Sequence, residues 1–361
     1  MINIILLISI IYILLISFNI TALLELILFN IIGLTLLPLV NDIMLLYMII
    51  ELQSYSLYLI TSVFNESHNS LKSGLYYFIV GSLFIKIGLA PFYIYTITIY
   101  TLSPTIITNY ISLMPKLSIL TLIYIILYYI SIINNIDIIN IISFLIIISM
   151  IIGSLGGLNV IKIKTLLAYS SLLNVSYMLI AILAYIYYIF QYSLTHLDIF
   201  SIILLMSIYS PINTNIINNS NKLYNDNKLL ITISLIICLF SLIGIPPLSG
   251  FYGKLLILIS SLNNGFIFLS IVLIISSSIS TYYYGSIIRL ISFDILNNKK
   301  IINNYNENNN NNIIVNKIKD NVISNIISYI ISVLTLIILL INIQYPSLIK
   351  GTYLVLLYNG I

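Results

Sequence analysis

Four ionisable residues lie inside long apolar runs: Glu51 in DIMLLYMIIELQSYSLYLITSVF, Lys86 in VGSLFIKIGLAPFYIY, Lys116 in NYISLMPKLSIL and Lys254 in LIGIPPLSGFYGKLLIL. An ionisable group at the centre of a bilayer costs at least about 2.5–3.5 kcal/mol, so each of the four needs a compensating role. One carboxylate and three amines, each able to hold or release a proton once burial shifts its affinity, are the parts of a lateral proton relay. Burial strips an isolated amine of its proton and pairing with Glu51 restores it, so breaking the pair pushes a proton onward. The competing reading makes these residues span-end groups that snorkel to the interface. Glu51, far from both ends of its run, fits that reading least. Glu25 is evenly placed between a helix-packing role and none.

The neighbours of these residues support polar channels. Tyr47, Ser54, Tyr55 and Tyr58 share the helical face of Glu51, and Ser112 and Asn109 lie one and two turns before Lys116. Lys86 precedes Gly88 and Pro91, and Lys254 follows Gly244, Pro246 and Pro247. Proline frees backbone carbonyls, which at membrane depth must face protein or a water-filled cavity. The likeness of IGLAP and IGIPP suggests paired half-structures. A further polar stripe, Ser170, Asn174 and Tyr177, runs along one face of KIKTLLAYSSLLNVSYMLI and could carry hydrogen-bonded waters between charges.

The elements that position these residues follow from composition. The 361 residues are 60% hydrophobic and 7% charged, with a mean hydropathy of +1.13; soluble domains carry about 25% charged residues. A soluble fold is excluded, and the chain reads as an all-α polytopic membrane protein. A span needs about 20 apolar residues. Apolar runs at residues 2–18, 21–40, 42–64, 74–98, 104–132, 138–157, 163–187, 188–209, 229–259, 265–292 and 321–343 predict about 11 transmembrane helices. The chain divides into N-terminal spans (1–41), a core (42–292) shortened near 80–85, an Asn-rich low-complexity loop (293–320), and a C-terminal span and tail (321–361).

Other chemistries are short of residues. The chain has one cysteine, Cys238, and two histidines, His68 and His196, too few for an iron–sulfur cluster or several haems. It has no GxGxxG or P-loop pattern, and no metal site is expected. The lysines mostly flank spans, as Lys162, Lys164, Lys222, Lys228, Lys299, Lys300, Lys317 and Lys319 do, and report topology without a nucleic-acid patch. The first run has no basic region before it and no cleavage site, so it reads as a span and not as a signal. Abundant Ile, Leu, Asn and Tyr with no Trp suggest an AT-rich organelle gene.

The segments IELQSYSLYLI, IKIGLAPFYIY, MPKLSI, GSLGGLNVIKIKTLLAYSSLLNVSYML and LIGIPPLSGFYGKLLIL together resemble the family of subunit 2 of respiratory complex I, the proton-pumping NADH:ubiquinone oxidoreductase, in its mitochondrially encoded form. They span most of residues 42–292. A Lys after GIPPLSGF resembles subunit 2, whereas subunit 4 carries a Glu there. The resemblance implies an antiporter-like fold of two inverted five-helix repeats with broken helices. It implies that Glu51 and Lys86 form a pair, that Lys116 is the central lysine and that Lys254 is the exit-side lysine. It also implies a hetero-oligomer with other membrane-arm subunits, surrounded by lipids, in the mitochondrial inner membrane. NADH, FMN, iron–sulfur clusters and ubiquinone would all sit in partner subunits, with no cofactor in this chain. A cation/proton antiporter subunit and a non-pumping structural membrane subunit are the alternatives.

Two features depart from the family pattern. The family's PFH is PFY here, with Tyr93 at the His position, and the His common in the AYSS helix is Asn174; neither replacement titrates near neutral pH. The second departure is a shortening between GLYYFIVGS and LFIKIGLAPF. The roughly 30 residues from Leu71 to Tyr100 reach about 45 Å as a helix, against about 60 Å for two crossings. A single crossing, however, places Lys72 opposite the later lysine loops. Those loops are expected to face the matrix, with 71–100 a re-entrant or tilted piece broken at Gly88–Pro91, or a region from which residues are missing.

Overall fold

With only 7% charged residues and apolar runs of helix-spanning length, this chain satisfies its peptide groups in a bilayer by making helices. The computed structural model describes residues 21–37, 43–62, 72–73, 89–91, 93–133, 136–160, 162–180, 185–209, 229–301 and 316–341. Among the described residues there is no strand. The helices are α1 (Thr21–Leu36), α2 (Ile43–Ser62), α3 (Tyr93–Leu102), α4 (Thr105–Ile133), α5 (Ile136–Gly156), α6 (Ile163–Ile180), α7 (Tyr185–Tyr209), α8 (Leu229–Ile243), α9 (Ser249–Asn263), α10 (Ile267–Ile301) and α11 (Asn316–Leu340).

Five of them, α4, α5, α6, α7 and α10, contain segments long and apolar enough to cross a membrane. The helix list is therefore not a list of crossings. At 1.5 Å per residue, the ten residues of α3 rise only about 15 Å, half of a hydrocarbon core. Most of the shortened region lies outside the described residues; within it, α3 begins at Tyr93, immediately beyond Pro91.

Burial separates an inner from an outer layer. The spans of α4, α6 and α7 are 89%, 78% and 94% buried, whereas those of α5 and α10 are 28% and 39% buried. The outer helices turn Ile141, Phe144, Phe268 and Ile271 outward, as a lipid-facing surface requires. Within the core, α7 packs against α4, α6, α8, α9 and α11, and α6 packs against α3, α4, α5, α9 and α10. Serines inside this core are satisfied locally: Ser170, Ser171 and Ser176 donate to the carbonyls of Leu167, Ala168 and Leu173 at 2.9, 2.7 and 2.6 Å. Back-bonding of this kind lets a hydroxyl sit in apolar surroundings without an unpaired donor.

Polar side chains also fasten α1 and α2 to the core. Asn30 on α1 donates to the Gln53 carbonyl of α2 at 2.8 Å and accepts from the Tyr110 hydroxyl of α4 at 2.7 Å.

Two breaks shape the rest. Ser103 and Pro104 separate α3 from α4. Between α8 and α9, Gly244 adopts φ +87°, a left-handed conformation that glycine reaches at no steric cost. The amides of Gly244 and Ile245 both return to the Phe240 carbonyl, at 3.0 and 3.3 Å, closing α8. The peptide bonds Ala90–Pro91 and Pro246–Pro247 are both cis, at matching places in IGLAP and IGIPP.

Candidate functional site

Lys116 lies in the interior of α4, 3% exposed. Pro115 precedes it without ending the helix. Its Nζ donates to the Ser171 hydroxyl of α6 at 2.8 Å and lies 5.3 Å from the centroid of the Tyr100 ring. The partners expected one and two turns back do not fill this role: Ser112 donates to the Asn109 carbonyl of its own helix, and the Asn109 side-chain oxygen has no partner. The amine is thus held by a neighbouring helix. The Ser171 hydroxyl gives its own hydrogen to the Ala168 carbonyl and accepts from Lys116, and since an ammonium and a neutral amine both carry N–H donors, this contact tolerates either protonation state. The Tyr100 and Tyr192 hydroxyls also lie near Ser171 without forming hydrogen bonds of their own.

From Ser171 the polar face of α6 continues one turn at a time. Asn174 accepts from the Tyr188 hydroxyl of α7 at 2.8 Å, and the Tyr284 hydroxyl of α10 lies close enough to interact with Ser170 and Asn174. One turn on, the Tyr177 hydroxyl shares a 2.9 Å hydrogen bond with Ser276 of α10. The Tyr177 ring then stands 6.0 Å from Lys254 Nζ. Ser170, Asn174 and Tyr177 are all buried, so the stripe expected from the sequence faces protein and links the surroundings of two lysines.

Lys254 extends from α9, partly buried, and donates to the Ile243 carbonyl at 2.9 Å. That carbonyl is one of those left without a helical partner at the end of α8, where a cation also meets the negative end of the helix dipole. The close approach of α9 depends on Gly250, where a Cβ would collide with the Ser241 carbonyl.

Glu51 is half-buried on α2, with the Ser54 hydroxyl 3.5 Å from its carboxylate. Lys86 lies outside the described residues, and so does the expected Glu51–Lys86 pair. No contact among the described residues joins Glu51 to Lys116. Tyr55, expected on the Glu51 face, is exposed, as is Glu25. Tyr93, in place of the family's His, packs beside the Tyr169 ring with centroids 6.3 Å apart.

Lysine spacing alone missed three further features. Lys164, grouped with the flanking lysines, is buried and donates to the Ser103 carbonyl at 2.9 Å, at the break after α3. It holds one broken-helix end as Lys254 holds the other. On α7, His196 and Asp198 are both 0% exposed. Asp198 accepts from the Cys238 thiol of α8 at 3.1 Å, its other oxygen being unpartnered among the described residues. Two ionisable groups in the apolar run IFQYSLTHLDIFSIILL satisfy the criterion that selected Lys116, and that signal was present in the sequence.

A sequence profile for the NADH:quinone oxidoreductase/Mrp antiporter transmembrane family matches residues 78–280, more than half of the chain. NADH-ubiquinone oxidoreductase chain 2 of the fungus Wickerhamomyces canadensis is 37% identical over 86% of this chain and 71% of its own length. NADH-ubiquinone oxidoreductase chain 2 of Rhizopus oryzae is 28% identical over 70% of this chain, and this chain spans only 60% of that relative. A chain in the structure of respiratory complex I from Thermus thermophilus with bound aureothin shares the fold, with a TM-score of 0.71 over 96% of this chain and 84% of that chain at 18% identity. A polytopic helical core with buried lysines joined through α6, a matching family profile and fungal relatives together make this chain a member of the NADH:quinone oxidoreductase/Mrp antiporter transmembrane family.

Proposed function

We propose that this chain is a subunit-2-type membrane-arm subunit of the proton-translocating NADH:ubiquinone oxidoreductase in the mitochondrial inner membrane. It moves protons through Glu51, Lys86, Lys116 and Lys254 while electrons move in partner subunits. Those partners hold NADH, FMN, the iron–sulfur clusters and ubiquinone; this chain contributes the membrane path and its contacts with other membrane subunits and lipid. The observation that carries the reading is the polar face of α6, on which Ser171 accepts from Lys116, Asn174 accepts from Tyr188 and Tyr177 stands beside Lys254.

An ammonium at Lys116 can pass its proton to mobile water along the hydroxyl-lined face of α6, and the neutral amine left behind keeps two N–H donors, one of which still serves the Ser171 hydroxyl oxygen. Lys254 receives the proton at the end of α8, where a backbone carbonyl and the helix dipole favour its charged form. Ser170, Asn174 and Tyr177 hold and orient; the two lysines carry charge.

The test is Lys254→Met in the assembled complex, with proton translocation and NADH-driven quinone reduction measured together. Loss of translocation with assembly retained supports the relay. Undiminished translocation assigns the chain a structural role. Translocation that tracks a sodium gradient in place of electron transfer favours the cation/proton antiporter reading.

A further inference from the structure

Lys254 and the carbonyl that holds it come from opposite sides of one break, the amine from α9 and the Ile243 carbonyl from the end of α8. The backbone between them turns at Gly244, with φ +87°, so each half is placed by what it packs against.

Both halves pack on α7. Tyr188, Gln191 and Asp198 follow one another at helical spacing, which puts them along one face of that helix. α9 lies against the first two: a Cβ on Gly253 would come within 2.7 Å of the Tyr188 ring, and one on Gly250 within 3.3 Å of the Gln191 amide nitrogen. α8 lies against the third, where the Cys238 thiol donates to the Asp198 carboxyl at 3.1 Å. Both of these side chains are 0% exposed. Thr195, between Gln191 and Asp198 on the same face, spends its hydroxyl on carbonyls of its own helix.

A carboxyl in an apolar span carries a cost that packing alone does not justify, since an apolar side chain would fill the same volume. The hydrogen bond to the thiol gives it a task. Cys238 stands about 7.5 Å along the helix axis before Ile243, at 1.5 Å per residue. The intervening stretch is internally bonded: the Cys238 carbonyl accepts from the Ser241 hydroxyl at 2.7 Å, and the Phe240 carbonyl takes the amides of Gly244 and Ile245. The end of α8 is therefore one stiff unit, and where Cys238 is held decides where the Ile243 carbonyl points.

Resting on the relay reading, we propose that Asp198 is a positioning residue for Lys254. Through the Cys238 thiol it seats α8 on the face of α7 that also seats α9, and so keeps the Ile243 carbonyl within reach of the amine. No proton passes through Asp198 or Cys238 in this role; one accepting oxygen and one donating group are all it needs. An amide at 198 or a hydroxyl at 238 serves as well as the native pair. Removing either partner frees the end of α8, the carbonyl leaves Lys254, and the ammonium loses its acceptor and the dipole end that faces it.

The experiment uses the whole assembled complex and reads assembly by native electrophoresis and protons translocated per NADH oxidised. Asp198→Asn and Cys238→Ser keep an acceptor and a donor; Asp198→Leu, Cys238→Ala and the two combined remove the bond. The first two variants are expected to behave as wild type. The bond-breaking variants are expected to assemble and to lose translocation per NADH by about tenfold, within the roughly hundredfold that a displacement of about 1 Å can cost, and the double variant to lose no more than either single one. Should Asp198→Leu not assemble, Cys238→Ala, which removes only the sulfur, carries the comparison. A wild-type ratio in Cys238→Ala overturns the proposal, and so do losses that add in the double variant. Loss in Asp198→Asn overturns it as well, because the carboxyl then acts by titrating and not by placement. Failure of Cys238→Ala to assemble assigns the pair to folding and also overturns it. In each of those cases loss of translocation in Lys254→Met leaves the relay standing, whereas wild-type translocation in Lys254→Met removes the relay itself.

Discussion

Replacing Lys116 by Met separates the energetic role of this residue from its chemical one. The ammonium makes a hydrogen bond to Ser171 at 2.8 Å and a cation–π contact with Tyr100 at 5.3 Å. A hydrogen bond to a charged group contributes about 1.5–3 kcal/mol, and a desolvated cation–π contact about 2 kcal/mol. Against these stands the desolvation of an amine 3% exposed, which costs several kcal/mol. The terms nearly cancel. Met retains the stem length and fills the site, and Ser171 keeps its bond to the Ala168 carbonyl at 2.7 Å, so no donor is orphaned. Lys116→Met is expected to change stability by no more than about 1 kcal/mol, since hydrophobic replacement of buried charges is often neutral or favourable. Lys116→Ala, which also empties the stem's volume, is expected to cost about 2–5 kcal/mol. Native electrophoresis and thermal denaturation of the complex read assembly and stability, and proton translocation with quinone reduction reads the chemistry. Met should assemble normally yet translocate poorly. If it destabilises the complex as much as Ala, the charge is a structural tether; if it assembles and pumps like wild type, the amine is not a carrier.

Three further substitutions probe the surroundings. Gly250→Ala sets a methyl against the Ser241 carbonyl, so α9 must move off α8, and native electrophoresis should show little assembled complex. Tyr188→Phe removes the 2.8 Å hydrogen bond that the Asn174 side-chain oxygen accepts, and thermal denaturation should show a loss of about 1–3 kcal/mol. Lys164→Met strips the Ser103 carbonyl of its charged donor and should cost about 1.5–3 kcal/mol of stability; an unchanged denaturation profile would show that the end of α3 does not need this cap.

What the sequence determined by itself is the class of structure and the kind of chemistry. A chain that is 7% charged and built of apolar runs near 20 residues long satisfies its backbone in lipid as helices, and ionisable residues placed in such runs must be paired, hydrogen-bonded or functional. The stripe of Ser170, Asn174 and Tyr177 was legible for the same reason, because helical periodicity alone puts the three on one face. Periodicity cannot say which helix that face meets. Only the tertiary structure joined Ser171 to Lys116, set Tyr188 and Ser276 against Asn174 and Tyr177, and turned Lys164 and Lys254 onto the carbonyls that end α3 and α8. It also set the Cys238 thiol of α8 against the Asp198 carboxylate of α7. Contacts between helices far apart in the chain depend on how broken helices fold back at Ser103–Pro104 and Gly244, and the direction of that return comes from packing the whole bundle, with no local residue pattern to specify it.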